Sequence, residues 1–162
     1  MEVYQNINVK NSSFYINSLF LKVYNELSTH IIKQGIIMNY TVTTTKSVNE
    51  AVESIENNVK EYKFGILHIH DVKSTLNEKG VVFSNECKIL DVCNPHQAKE
   101  LLSVDMIMSM TMPCKISVYT DQKETKISML KPTEMFPNFN KSLNIEAQEI
   151  EESLKNIIDM SK

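Results

Sequence analysis

Arginine is absent from this chain. All 17 of its basic residues are lysines, set against 20 acidic residues for a formal charge of -3. Recognition of phosphates and base edges leans on arginine's two-pronged fork, and no lysine cluster stands in for it here, which argues against a nucleic-acid partner. The missing arginine also fits simple coding bias in an AT-rich genome, as do the abundant Lys, Asn and Ile, and on that reading it carries no function. Glycine is nearly as scarce. Three in the whole chain leave no room for a phosphate-cradling glycine loop, and neither a Gly-x-Ser-x-Gly elbow nor a His-Glu-x-x-His helix occurs, so hydrolase readings have no support. No run approaches the roughly 18 apolar residues of a membrane span, which argues against a membrane partner. Residues 1–37 lack the basic start, apolar run and small-residue cleavage site of a secretory signal, so the expected location is cytoplasmic. Three cysteines, Cys87, Cys93 and Cys114, cannot form a fully paired disulfide framework, which fits reduced thiols in that compartment.

What is present reads as one folded domain. At 162 residues, 42% hydrophobic and 23% charged, the chain is long enough to bury a core without metal or disulfides and lies well away from disordered compositions. Ile16, Leu19, Phe20, Val23, Tyr24, Leu27 and Ile31 recur at the spacing of one helical face, with Ser12 or Ser13 as cap and Gly35 as stop. Residues 40–45, rich in β-branched threonine, then read as a strand. Ser47-Val48-Asn49-Glu50 is a capping box that starts a helix with Ala51, Val52, Ile55, Val59 and Tyr62 on its buried side. FGILHIHDV from Phe64 is the next strand, and Asp71 caps a short helix that Gly80 closes.

Residues 88–93 form a third strand. Asn94-Pro95 opens a helix ending near Ser103, since asparagine caps and proline fits the first helical position. Residues 115–119 and 126–130 alternate across a glycine-free turn as a hairpin. An irregular stretch follows Pro132 and Pro137. A final helix carries Ile145, Ile150, Leu154, Ile157 and Ile158 on one side, with its acidic residues early and its lysines late, as the helix dipole prefers. The expected order after the N-terminal helix is therefore β-α-β-α-β-α-β-β-α.

Three blocks within residues 40–132, FGILHIHDVKSTLNEKG from Phe64, CKILDVCNPHQAKELL from Cys87 and MPCKISVY from Met112, resemble the domain-of-unknown-function family numbered 302. Their order and separation, with the Cys-Asn-Pro and Pro-Cys pairs, are more specific than any isolated motif. The resemblance implies an α+β fold, a mixed or antiparallel sheet with helices packed on one face in the manner of the TATA-binding protein, and pairing as a homodimer. Family chains usually begin close to Met38, which suggests residues 1–37 as an N-terminal helical extension or an upstream start, and residues 38–162 as the family domain. Many relatives carry other residues where this chain has His68 and His70, so a function built on those two belongs to a subgroup.

The candidate chemistry centres on Cys93. It directly precedes a helix N-terminus whose free amides and dipole favour a thiolate, which would lower its pKa; the plain alternative is a buried packing residue. Cys114 opens the next strand after Pro113, so a redox or metal-binding pair with Cys93 is open, although no Cys-x-x-Cys spacing demands it. His68 and His70 stand two apart on a strand, on one face, where they could ligate a metal or a haem iron. Asp71 would then be their orienting carboxylate, or simply a helix cap. Met106, Met108, Met110 and Met112 alternate, and if extended they align four thioethers suited to Cu(I); a flexible packing surface is the stronger reading. The expectation is a non-enzymatic homodimer that holds a small ligand, haem or soft transition metal near Cys93. Its cofactor-binding candidates are His68, His70 and Asn94, and its metal candidates are His68, His70, Cys93 and Cys114. The rivals are a thiol-based redox or sulfur-handling protein using Cys93 with Cys114, and a structural or interaction module.

Overall fold

Apolar alternation along five segments makes one sheet. In the computed structural model, which describes residues 38–162, the strands are β1 (Asn39–Thr44), β2 (Gly65–Asp71), β3 (Cys87–Cys93), β4 (Cys114–Asp121) and β5 (Glu124–Leu130). They lie in the order β1-β5-β4-β3-β2, and every neighbouring pair is antiparallel. The expected N-terminal helix over residues 16–31 lies outside the described residues. Between the strands run α1 (Val48–Asn58), α2 (Val72–Glu78), α3 (Pro95–Val104), α4 (Pro132–Met135) and α5 (Asn144–Ser161). The α+β order is the expected one, with α4 added where the chain reads as irregular; Pro132, at the first turn, is the local signal for it.

One face of the sheet is the core. Leu90, Val92, Ile116, Val118 and Ile127 are fully buried, one from every second strand position, as the period-2 pleat requires. Against them pack the buried stripes of α1 (Val48, Ala51, Val52, Ile55) and α5 (Ala147, Ile150, Leu154, Ile157, Ile158). Burying one such aliphatic side chain contributes roughly 1.5–3 kcal/mol. Ile145, expected on the α5 stripe, is instead 68% exposed, because it falls off the i, i+3, i+4 spacing that Ala147, Ile150 and Leu154 follow. Among the described residues, no helix is long and apolar enough to cross a membrane.

Local chemistry fixes the ends. Ser47 Oγ accepts the Glu50 amide while Glu50 Oε2 accepts the Ser47 amide at 2.8 Å, the reciprocal capping box. Asp71 Oδ1 accepts the Ser74 amide at 2.9 Å and so caps α2. The hairpin turn needs no glycine because Gln122 and Lys123 themselves take φ of 50° and 71°, the doubly left-handed two-residue turn that matches strand twist. In β2 the pairing slips between Ile66 and His68, so Leu67 is an extra, bulged residue. That bulge lets Ile66 and Ile69 both pack toward the core while His68 and His70 share the open face.

The methionine segment departs from expectation. Met106–Thr111 is a 3-10 helix whose start is capped by Asp105 Oδ1 accepting the Ile107 amide at 3.1 Å. With about three residues per turn, alternate side chains do not share a face. Met108 is fully buried while Met106 and Met110 are exposed, so the four thioethers are not aligned.

Candidate functional site

The end of β3 and the start of β4 meet by register. Val92 lies opposite Cys114, which brings the next residue, Cys93, beside the head of β4. Asn94 follows in extended conformation, and its Oδ1 accepts the amides of His96 at 3.1 Å and Gln97 at 3.4 Å, with Pro95 in the first turn of α3. Such a cap is worth roughly 0.5–2 kcal/mol. The peptide bond between Met112 and Pro113 on the facing side is cis.

This geometry corrects the expected acidity of Cys93. The helix N-terminus was to stabilise a thiolate, but Asn94 already takes two of its free amides, and burial pushes the Cys93 thiol up from its ordinary value. Burial drives the Cys114 thiol further, up to about 11, and the neighbouring Cys93 adds to it. Cys87 is also raised, by burial and by Asp71. All three cysteines are free and protonated at neutral pH.

Two cavities adjoin here. A smaller one of about 20 Å³ is bordered by Cys93, Asn94, Gln97, Phe136 and Cys114, space for about one water molecule. A larger one of about 210 Å³ lies against Met110, Met112, Lys115, Leu130 and Met135. Met112, Pro113 and Cys114 border both. Into the smaller cavity's wall is set Gln97, whose Oε1 is buried without a hydrogen-bond partner among the described residues. An unpaired buried acceptor of this kind costs about 1–3 kcal/mol until a donor reaches it.

The histidines occupy a different place, the open face of the sheet. His68 pairs with Asp91, and Asp91 with Lys115. The two imidazole rings pack edge to face with centroids 4.4 Å apart. His70 Nε2 donates to Asp91 Oδ2 at 2.9 Å, and Lys115 Nζ donates to Asp91 Oδ1 at 2.5 Å. The hydrogen bonds from Lys115 and then His70 hold the Asp91 carboxyl below its usual range. The carboxylate that orients a histidine is therefore Asp91, while Asp71 is committed to its helix cap. Because Nε2 faces Asp91, Nδ1 is the His70 atom open to a ligand.

The four metal candidates are not assembled into one site. The structure joins His68 to His70 and Cys93 to Cys114, but neither histidine borders either cavity. Among the described residues no three His, Cys, Asp or Glu side chains group as metal ligands. Neither cavity has the volume of a haem.

The sequence profile described as "Domain of unknown function DUF302" matches residues 40–161. The chain belongs to that family. It is similar to the crystal structure of the uncharacterized conserved protein DUF302 from Bacillus stearothermophilus, at 35% identity and a TM-score of 0.75, over 78% of this chain and 99% of that one. No curated protein matches the chain. Both cysteine and histidine pairs lie inside the family span.

Three residues of the site were not legible beforehand. Asp91 and Lys115 look like ordinary solvent-side charges of alternating strands until register sets them beside each other and His70. Gln97 reads as a helix-surface polar residue. Its place in the first turn after Asn94-Pro95 is the one signal that turns it back toward the strand ends.

Proposed function

We propose that this domain binds a small molecule, without converting it, where β3 ends and β4 begins, and that it does so as a cytoplasmic homodimer. The observation that carries the reading is the pair of adjoining cavities sharing Met112, Pro113 and Cys114. The larger exceeds the roughly 150 Å³ apolar cavity known to take up benzene, and its methionines adapt to a guest's shape. Gln97, whose Oε1 has no hydrogen-bond partner among the described residues, borders the smaller space next door. Protonated thiols at the cavity wall pack and donate weakly rather than attack, which places the redox reading second. Haem and a soft metal are placed below both, given the cavity volumes and the separated ligands.

Amide NMR spectra recorded with a set of small fragments are expected to shift at Met112, Cys114, Lys115 and Leu130. Spectra that stay unchanged at millimolar fragment would refute the reading. The homodimer draws support from the family resemblance and from exposed Val104, Met106 and Ile107, an apolar patch beside α3. Sedimentation should show the mass of two 18.6 kDa chains; a monomer at every concentration would discard it.

A further inference from the structure

We infer that the guest of the larger cavity is a small apolar acid, a monocyclic or short-chain carboxylate whose charge is held by Lys115. This deepens the ligand reading above and rests on it. Four of the side chains around the 210 Å³ space, Met110, Met112, Met135 and Leu130, are apolar, and among the described residues Lys115 is the one charged group on its wall. The Thr111 hydroxyl on the same wall is spent, donating to the Met108 carbonyl at 2.8 Å. The hydroxyl therefore offers its hydrogen to no guest. Met110 is 73% exposed and Leu130 57% exposed, so an apolar body seated between them removes surface from water that the fold itself leaves wet.

Charge then selects the class. A cationic guest would bring its charge toward the Lys115 ammonium at the cavity wall. A neutral guest would leave that ammonium to Asp91 alone. An acid instead gains a charge-assisted hydrogen bond from Nζ, which has three donors and gives one to Asp91 Oδ1 at 2.5 Å. Asp91 is itself shared with His70 at 2.9 Å, so its hold on the lysine is divided. Lys115 is 56% exposed and borders the cavity, and the proposal has its head turn from Asp91 to a carboxylate at the cavity mouth.

The test uses three ring-matched probes, benzoate, benzyl alcohol and benzylamine, followed by the methyl signals of labelled Met110, Met112 and Met135. Benzoate is expected to bind tightest, and Lys115→Met to weaken benzoate about tenfold while leaving benzyl alcohol unchanged, the loss of one charge-assisted bond. Asp91→Asn, which removes the competing carboxylate, should tighten benzoate by a few-fold, a direction that mere loss of folding cannot produce. Benzyl alcohol or benzylamine binding as tightly as benzoate, or benzoate indifferent to Lys115→Met, overturns the acid class while the cavity reading stands. If no probe binds but other fragments still fill the space, the acid class falls alone. If no fragment enters at all, the reading beneath it falls too.

Discussion

Replacing Phe136 by alanine is expected to lower the unfolding free energy by about 3–5 kcal/mol, the range for deleting a buried aromatic ring. Phe136 is 1% exposed and among the largest fully buried side chains. It opens the 3-10 turn Phe136–Asn138 between α4 and α5, and its carbonyl accepts the amides of Phe139 and Asn140, both at 2.9 Å. Its ring also walls the smaller cavity. Truncation therefore removes buried contact and enlarges a void at the same time, the two terms that add in such substitutions. Urea unfolding measures the change directly, and the melting temperature should fall by roughly 10–20 °C. A loss under about 1 kcal/mol would mean that the ring does not anchor the loop. The surviving fold should also take apolar fragments more readily, because the void merges with the space beside Cys114.

The loop that Phe136 anchors is held at its other end by a buried carboxylate. Glu151 of α5 is 6% exposed and accepts the Thr133 amide at 3.1 Å and Lys155 Nζ at 2.6 Å. Burial raises its pKa, but the bonds from Lys155 and Thr133 outweigh burial and leave it below its ordinary value. The acid-rich first half of α5 reads in sequence as matched to the helix dipole, and at Glu151 that reading leaves out a tie to α4.

Such contrasts show what a single sequence exposes. Caps were legible because their chemistry is local: Ser47 with Glu50, Asp71 with Ser74, and Asn94 with Pro95 act within a few residues. Strand and helix order was legible because burial imprints a period of 2 or 3.6 on the apolar residues. The wholly antiparallel pairing was not, since it depends on which strands meet across the chain. The Leu67 bulge and the Gln122–Lys123 turn carry no glycine to announce them. For the same reason Asp91 and Lys115 stayed hidden until the register of β2, β3 and β4 joined them. The methionine pattern misled because perfect alternation implies a common face only in extended backbone, and Asp105 caps a 3-10 helix there instead.

Cys114 should react with iodoacetamide on the order of a hundredfold more slowly than an ordinary thiol at pH 7. A free thiol of pKa near 8.5 is about 3% thiolate at that pH, whereas a pKa of about 11 leaves only about 0.01%. The comparison is made by mapping alkylation at Cys87, Cys93 and Cys114 in the folded chain and again in urea, where the three should converge. Restricted access alone would also slow Cys114, so the pH dependence decides between the causes. A thiol held protonated by burial keeps gaining about tenfold in rate per pH unit well past pH 9, while a merely shielded thiol of ordinary pKa levels off near 8.5. Cys93, raised by burial alone where Cys114 is raised by burial and by its neighbour Cys93, should fall between Cys114 and the unfolded control. If Cys114 instead alkylates within about tenfold of the unfolded chain at pH 7, it is a competent thiolate, and a Cys93 and Cys114 redox pair would displace ligand binding as the reading of this strand end.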